Sequence, residues 1–256
     1  MGAKSVLISL LSAALLGQGS AALAQGDPLA ARLSAAGVGG VAAGEYATDA
    51  GRQFVLQPYS EEYLLRFSDS PEKFVLTMER GVLGSKLLLY DTGGTALRVS
   101  IWGGLTLYTQ DAPNGVPATR EGDAPALSLT PVSAPDLAGA MHDESGHLSY
   151  VQKIALDFAA DPSVMKSDGE TRAVAFDTLT NTAIGIERFL SQPAARQALT
   201  NRISAVRVTE GAKPTLLIAG RALMVSFVPG EGYDGRASSH AIAHELGKLL
   251  QVSTPE

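Results

Sequence analysis

Four histidines and no cysteine leave this 256-residue chain little material for acid–base, thiolate or metal chemistry. His240 and His244 stand four apart on a segment with helical spacing, where two imidazoles can chelate one Zn²⁺ and Glu245 follows directly. No Glu lies between them to serve as a base. At 100° per residue Ile242, Leu246 and Leu249 fall within about 60° of one another, with both His on the opposite side, so the pair is expected to face solvent. His142, Asp143, Glu144 and His147 form a second polar cluster, read as the exposed end of a linker with acids favouring the helix that follows. Asp161-x-Ser163, with Asp168 and Glu170 beyond, has the outline of a calcium loop, but Met165 occupies a position that should supply oxygen. No metal site and no cofactor is expected.

Leu88-Leu89-Tyr90-Asp91-Thr92-Gly93 resembles the apolar-apolar-x-Asp-Thr-Gly signature of aspartic proteases, in which two carboxylates share a proton to activate water. A single copy demands a homodimer and a later apolar strand ending in Gly. Leu217-Ile218-Ala219-Gly220 could be that strand, but it lies beyond a Pro-rich stretch and three helical segments. The plainer reading is a hairpin turn at Asp91-Thr92-Gly93-Gly94, where Asp and Gly supply the positive-φ positions. Gly-x-Ser-x-Gly and phosphate-cradling loops are absent from the sequence.

The N-terminus speaks of destination. Lys4 precedes the apolar run Val6 to Leu16, Gly17 and Gly19 break it, and Ala22-Leu23-Ala24 presents small residues where signal peptidase needs them. Ala22 and Ala24 are therefore the expected recognition residues, with cleavage after Ala24. The apolar run is well short of the roughly 20 residues needed to cross a bilayer, and no later run is longer. Without cysteine there is neither a lipid-modified residue nor a disulfide. A net charge of −6 with no Lys/Arg cluster argues against nucleic acid or an anionic membrane surface as partner. The expected location is periplasmic or secreted.

Whatever site exists must be positioned by two different halves. Residues 1–24 read as signal peptide and 25–52 as a flexible leader with a short helix at 29–36, opened by Asp27-Pro28 and stopped by Gly37. Residues 53–110 show six short apolar runs separated by turn residues, an antiparallel β meander forming an open sheet or small roll, with too few strands for a transmembrane barrel. Residues 111–146, rich in Pro and Gly, read as a linker. Residues 147–256 read as an α+β domain with helices on a small antiparallel sheet. A helix runs through Leu148, Val151, Ala155 and Phe158, and a longer one carries Phe176, Leu179, Ala183, Ile186 and Leu190 on one face. A turn of helix follows at 194–202, then three strands, then a last helix at about 239–250 capped by Ser238 or Ser239.

Three segments carry a wider likeness: Ser70-Pro71-Glu72 with Phe74-Val75-Leu76-Thr77, Leu97-Arg98-Val99 through Gly103-Gly104-Leu105-Thr106-Leu107-Tyr108-Thr109, and Gly235-Arg236-Ala237-Ser238-Ser239 with Ile242-Ala243. On these the chain resembles a family of exported bacterial proteins, domain of unknown function 4908. That resemblance implies a secreted or periplasmic protein and transfers no catalytic residue. The leading expectation is a non-enzymatic binding or envelope-associated module acting on an envelope protein or another extracytoplasmic ligand. The alternative is an unfamiliar hydrolase using Asp91 or a His/carboxylate site, and a structural envelope component would show a broad exposed apolar patch.

Overall fold

The computed structural model describes residues 41–252. The expected signal peptide, Ala22 and Ala24 included, and the expected helix at 29–36 lie outside them. Eight antiparallel strands close into a barrel in sequence order: β1 (Gly44–Thr48), β2 (Gln53–Tyr59), β3 (Glu62–Phe67), β4 (Phe74–Arg80), β5 (Lys86–Leu89), β6 (Thr95–Val99), β7 (Leu105–Thr109) and β8 (Ala112–Gly122). The expectation of an open sheet or small roll is thereby corrected. β2 to β7 are the six apolar runs of the sequence; the two strands that close the sheet are the ones the pattern hid. β1 lies in the Gly/Ala-rich leader, with Tyr46 buried in the core. β8 lies in the Pro-rich stretch read as linker, and it pairs with β7 on one side and β1 on the other. Proline tolerates this place because β1 takes up only Ala118–Gly122, leaving Pro113 and Pro117 beyond that ladder.

Strand alternation sends Phe54, Leu56, Leu65, Phe67, Phe74, Leu76, Leu88, Leu97 and Leu107 into the barrel, where they form one packed cluster. Each fully buried Leu or Phe contributes roughly 1.5–3 kcal/mol. With eight strands the strand-count argument against a membrane barrel no longer applies, but the pattern is inverted from one. The inside is apolar, and seven of the eight strands have seven residues or fewer, short of the roughly 9–11 a bilayer needs. Among the described residues no helix is long and apolar enough to cross a membrane.

Residues 123–133 carry no regular element and lead to α1 (Ala134–Val151), capped by Ser133. β9 (Asp157–Ala160), α2 (Pro162–Lys166), α3 (Gly169–Leu190), α4 (Ala195–Arg202), β10 (Ala205–Glu210), β11 (Thr215–Ala219), β12 (Ala222–Phe227) and α5 (Ser239–Leu250) follow. Their sheet runs β11-β12-β10-β9, with β10 parallel to both β9 and β12. It is mixed, not antiparallel as expected; only the β11–β12 hairpin is antiparallel. The discrepancy comes from β12, which returns past the β11 hairpin to lie parallel to β10, and from β9. Ala155 and Phe158 extend the helical spacing of α1, yet Lys153 takes φ 55 and ends it. From there Ile154, Leu156 and Phe158 are buried at period two, the signature of a strand. α3 contains the whole expected face from Phe176 to Leu190, and Leu179, Ala183 and Ile186 enter the core.

Candidate functional site

α5 is where the two halves meet. Its N-cap Ser238 and its first two residues, Ser239 and His240, all reach the barrel. Ser238, the N-cap, donates its N–H to Asp91 Oδ2 (2.9 Å) and its hydroxyl to Asp91 Oδ1 (2.6 Å), while its Oγ accepts from Ala241 N (3.1 Å). Ser239 repeats the arrangement with Glu72, N–H to Oε1 at 2.7 Å and hydroxyl to Oε2 at 2.6 Å. Two carboxylates from separate barrel loops thus satisfy the helix's unpaired amides and face the positive end of its dipole. The Glu72 side chain is 0 % exposed. Burial pushes its carboxyl up, opposed by the two Ser239 donors and the charges of Arg188 and Arg236.

A stripe on α3 holds the same segment from the other side. Asp177, Asn181, Gly185 and Arg188 recur at helical spacing. Asp177 accepts from Arg236 Nε at 2.9 Å and Lys73 Nζ at 3.2 Å, and Asn181 Nδ2 donates to Ala237 O at 2.9 Å. A Cβ on Gly185 would sit 2.6 Å from Ile242 Cγ2, so glycine is what lets α5 approach. Arg188 Nε donates to Ser239 Oγ at 2.8 Å, and its Nη2 lies 3.7 Å from Glu72 Oε2. Arg236 also donates to Lys73 O at 2.7 Å. On the flank of this contact Tyr59 OH accepts from Tyr233 N at 3.1 Å, and burial with the neighbouring Asp234 carboxyl pushes Glu62 up to about 7.

Beside this contact, between the barrel mouth and α3 and α5, lies an open cleft of volume ≈ 1010 Å³. Arg52, Tyr90 and Tyr108 line it from the barrel, and Arg188, Gln192, His240 and His244 from the helices. Gln192 Oε1 is buried without a hydrogen-bond partner among the described residues. His240 lies 4.5 Å from the Tyr90 ring and 5.0 Å from that of Phe74, centroid to centroid. Burial there, helped by the Arg188 charge, holds its imidazole down to a pKa of about 4, so it is neutral at pH 7.

His240 therefore departs from the solvent-facing expectation, whereas His244 remains half open on the cleft wall. A helical wheel gives the direction of a side chain but not whether a second body covers it. Asp91 is at the β5–β6 turn, closed by Tyr90 N to Gly94 O and Gly93 N to Tyr90 O at 2.8 Å each. Its carboxylate is engaged by Ser238 and does not line the cleft, and Leu217 to Gly220 belong to the distant β11 hairpin. His142, Asp143, Glu144 and His147 lie within α1 itself, past its start, where His147 Nε2 meets Glu187 Oε1 at 2.9 Å. Asp161 accepts from Thr209 Oγ1 (2.8 Å), and Asp168 caps α3 through Thr171 N (2.8 Å), so both serve structure. Among the described residues no group of three or more His, Asp or Glu could hold a metal ion.

Sequence reasoning passed over Glu72, Asp177, Arg188 and Arg236. The legible signal was the polar stripe 177-181-185-188 on a helix whose other face is apolar. It also passed over the Ser-x-x-Lys spacings at Ser70–Lys73 and Ser163–Lys166. The first lies in a loop with the Lys73 ammonium held by Asp177, and the second on the exposed face of the short α2. A family model, domain of unknown function (DUF4908), matches residues 28–246. No curated protein and no solved structure matches the chain.

Proposed function

The chain belongs to the DUF4908 family, and from its own geometry we propose an exported, non-enzymatic binding protein that holds a small amphipathic anion in the cleft between barrel and helices. One observation carries the reading. Asp91, Glu72 and Asp177, the carboxylates of the adjoining contact, are engaged by helix caps and ion pairs and lie outside the cleft lining, and of the two that line it, Asp69 and Asp111, the second is 3.7 Å from Arg52 Nη2. What faces the cleft beside them is recognition chemistry: guanidinium groups at Arg52 and Arg188, aromatic rings at Tyr90 and Tyr108, and a buried acceptor at Gln192. An apolar body would lie against the rings, with its acidic end on Arg188. Export is supported by Lys4 to Ala24 and by a family match that starts at residue 28.

The test is a melting-temperature titration with aromatic carboxylates and sulfonates. A saturable rise in the wild type that Arg52→Leu and Tyr108→Ala reduce is the expected result. No rise across the panel overturns the binding reading. Turnover of an ester or peptide lost in His240→Ala would favour the hydrolase instead, since a neutral imidazole in the cleft could take a proton.

A further inference from the structure

The end of the barrel away from the cleft carries two hairpin tips of unusual composition. The β4–β5 turn presents Val82 and Leu83 and the β6–β7 turn presents Ile101 and Trp102, all exposed, with Leu83 at 89 % and Trp102 at 86 %. The tips touch: a Cβ on Gly84 would sit 3.0 Å from Ile101 Cγ2. Neither is a loose loop. Gly81 N donates to Ser85 O (2.8 Å) and Ser85 N to Val82 O (3.1 Å), while Gly103 N donates to Ser100 O (3.0 Å) and Gly104 N to Ser100 Oγ (2.9 Å). Leu83 takes φ 55, a left-handed conformation that glycine or asparagine would adopt at lower cost. Folding gains nothing from a leucine there, since its side chain is almost wholly in water.

The charges behind the tips have a sign. Arg80 stands directly opposite Lys86 across β4 and β5, and Arg98 stands opposite Leu87 across β5 and β6. Among the described residues none of the three is in an ion pair. In sequence they are scattered, which is why the composition shows no basic cluster; register sets Arg80 beside Lys86 on the core-facing row that continues to Val99, and Arg98 on the outward row with Leu87 and Glu79, in a chain of net charge −6. Glu79 is the acidic residue among them. The other acids of this end are Glu45, Glu121 and Asp123, on β1 and at the end of β8 across the barrel, with Asp123 paired with Arg120, and Glu61 and Glu62 at the β2–β3 turn, one strand from β4.

We infer that these tips dock the protein on an anionic lipid surface, Val82, Leu83, Ile101 and Trp102 entering the headgroup–acyl boundary while Arg80, Lys86 and Arg98 meet lipid phosphates. Convex apolar tips with tryptophan outermost and cations one step behind match the layering of that boundary, where indole rings settle and basic side chains reach charge. A cation-rimmed projection has nothing of the concave, polar-rimmed form of a protein groove. The cleft, at the opposite mouth, plays no part in this contact.

Trp102 is the single tryptophan of the chain, so its emission reports the tip and nothing else. With vesicles of phosphatidylglycerol and phosphatidylethanolamine the emission should shift to the blue, and the shift should weaken as salt rises. Leu83→Asn should melt no lower than the wild type yet bind vesicles at least about tenfold more weakly. Neutralising Arg80 and Lys86 together as Gln should weaken binding roughly thirtyfold, about fivefold for each charge. Unshifted emission, or a shift that Leu83→Asn leaves intact, overturns the proposal, including the case in which the tips engage a protein.

Discussion

His240 shows how much one residue's meaning depends on what covers it. Its folded pKa, about 4, lies below the 6.5 of the unfolded chain, because burial beside Phe74 and Tyr90 disfavours the imidazolium. The unfolded chain therefore takes up a proton first as pH falls. The stability this residue contributes is complete above pH 6.5 and is lost on descent toward pH 4. Glu72, whose carboxyl is pushed up by burial, acts in the opposite sense, so the two are separated by variant and not by pH alone. His240→Phe keeps a ring between Phe74 and Tyr90 without a titrating nitrogen. Denaturant melts at pH 7 and pH 4 should show the wild type losing on the order of 2 kcal/mol more than this variant. Equal losses would place the imidazole in water. The sequence made the histidine visible, but its neighbours come from β4 and the β5–β6 corner, more than 140 positions away. Asp91 was visible for the wrong chemistry: its hairpin turn was legible, its capping of a remote helix was not.

At the scale of elements, α3 and α5 were legible nearly to the residue because apolar spacing and caps agree. α5 spans Ser239–Leu250 with Ser238 as N-cap, and α3 spans Gly169–Leu190 with Asp168. What their patterns did not reveal was that α3 is covered on a second face. Gly185→Ala tests this contact. The added methyl would meet Ile242 Cγ2 at 2.6 Å and Ser239 O at 3.0 Å, one a branched side chain and the other backbone. Overpacking of this kind should cost about 1–3 kcal/mol in a urea melt, whereas an uncovered helix position would gain from replacing glycine. β1, β8 and β9 were missed for the opposite reason. Strands among Gly, Ala and Pro carry weak local signals, and their places are fixed by partners, β8 by β7 and β1, β9 by β10.

For the whole molecule, the bond network at the start of α5 joins barrel to helices. Arg236 is its most enclosed cation, 1 % exposed, held by Asp177 and Lys73 O. Asp177→Ala leaves that guanidinium buried without its counter-charge, and Lys73 loses its partner too. A cost of about 3–5 kcal/mol is expected, with the single unfolding transition separating into two as the barrel and helices uncouple. A small loss and one undivided transition would mean the halves are held by something else. The cleft exists only because these halves are held side by side, so its walls come from segments that no local pattern connects.

The cleft's role as a binding site is therefore tested most directly by amide chemical-shift mapping of the protein titrated with phenylacetate, a small amphipathic anion. Saturable shifts concentrated at Arg52, Tyr90, Tyr108, Arg188, Gln192, His240 and His244 are expected. Shifts that are absent at millimolar phenylacetate, or that gather away from these residues, would contradict that role.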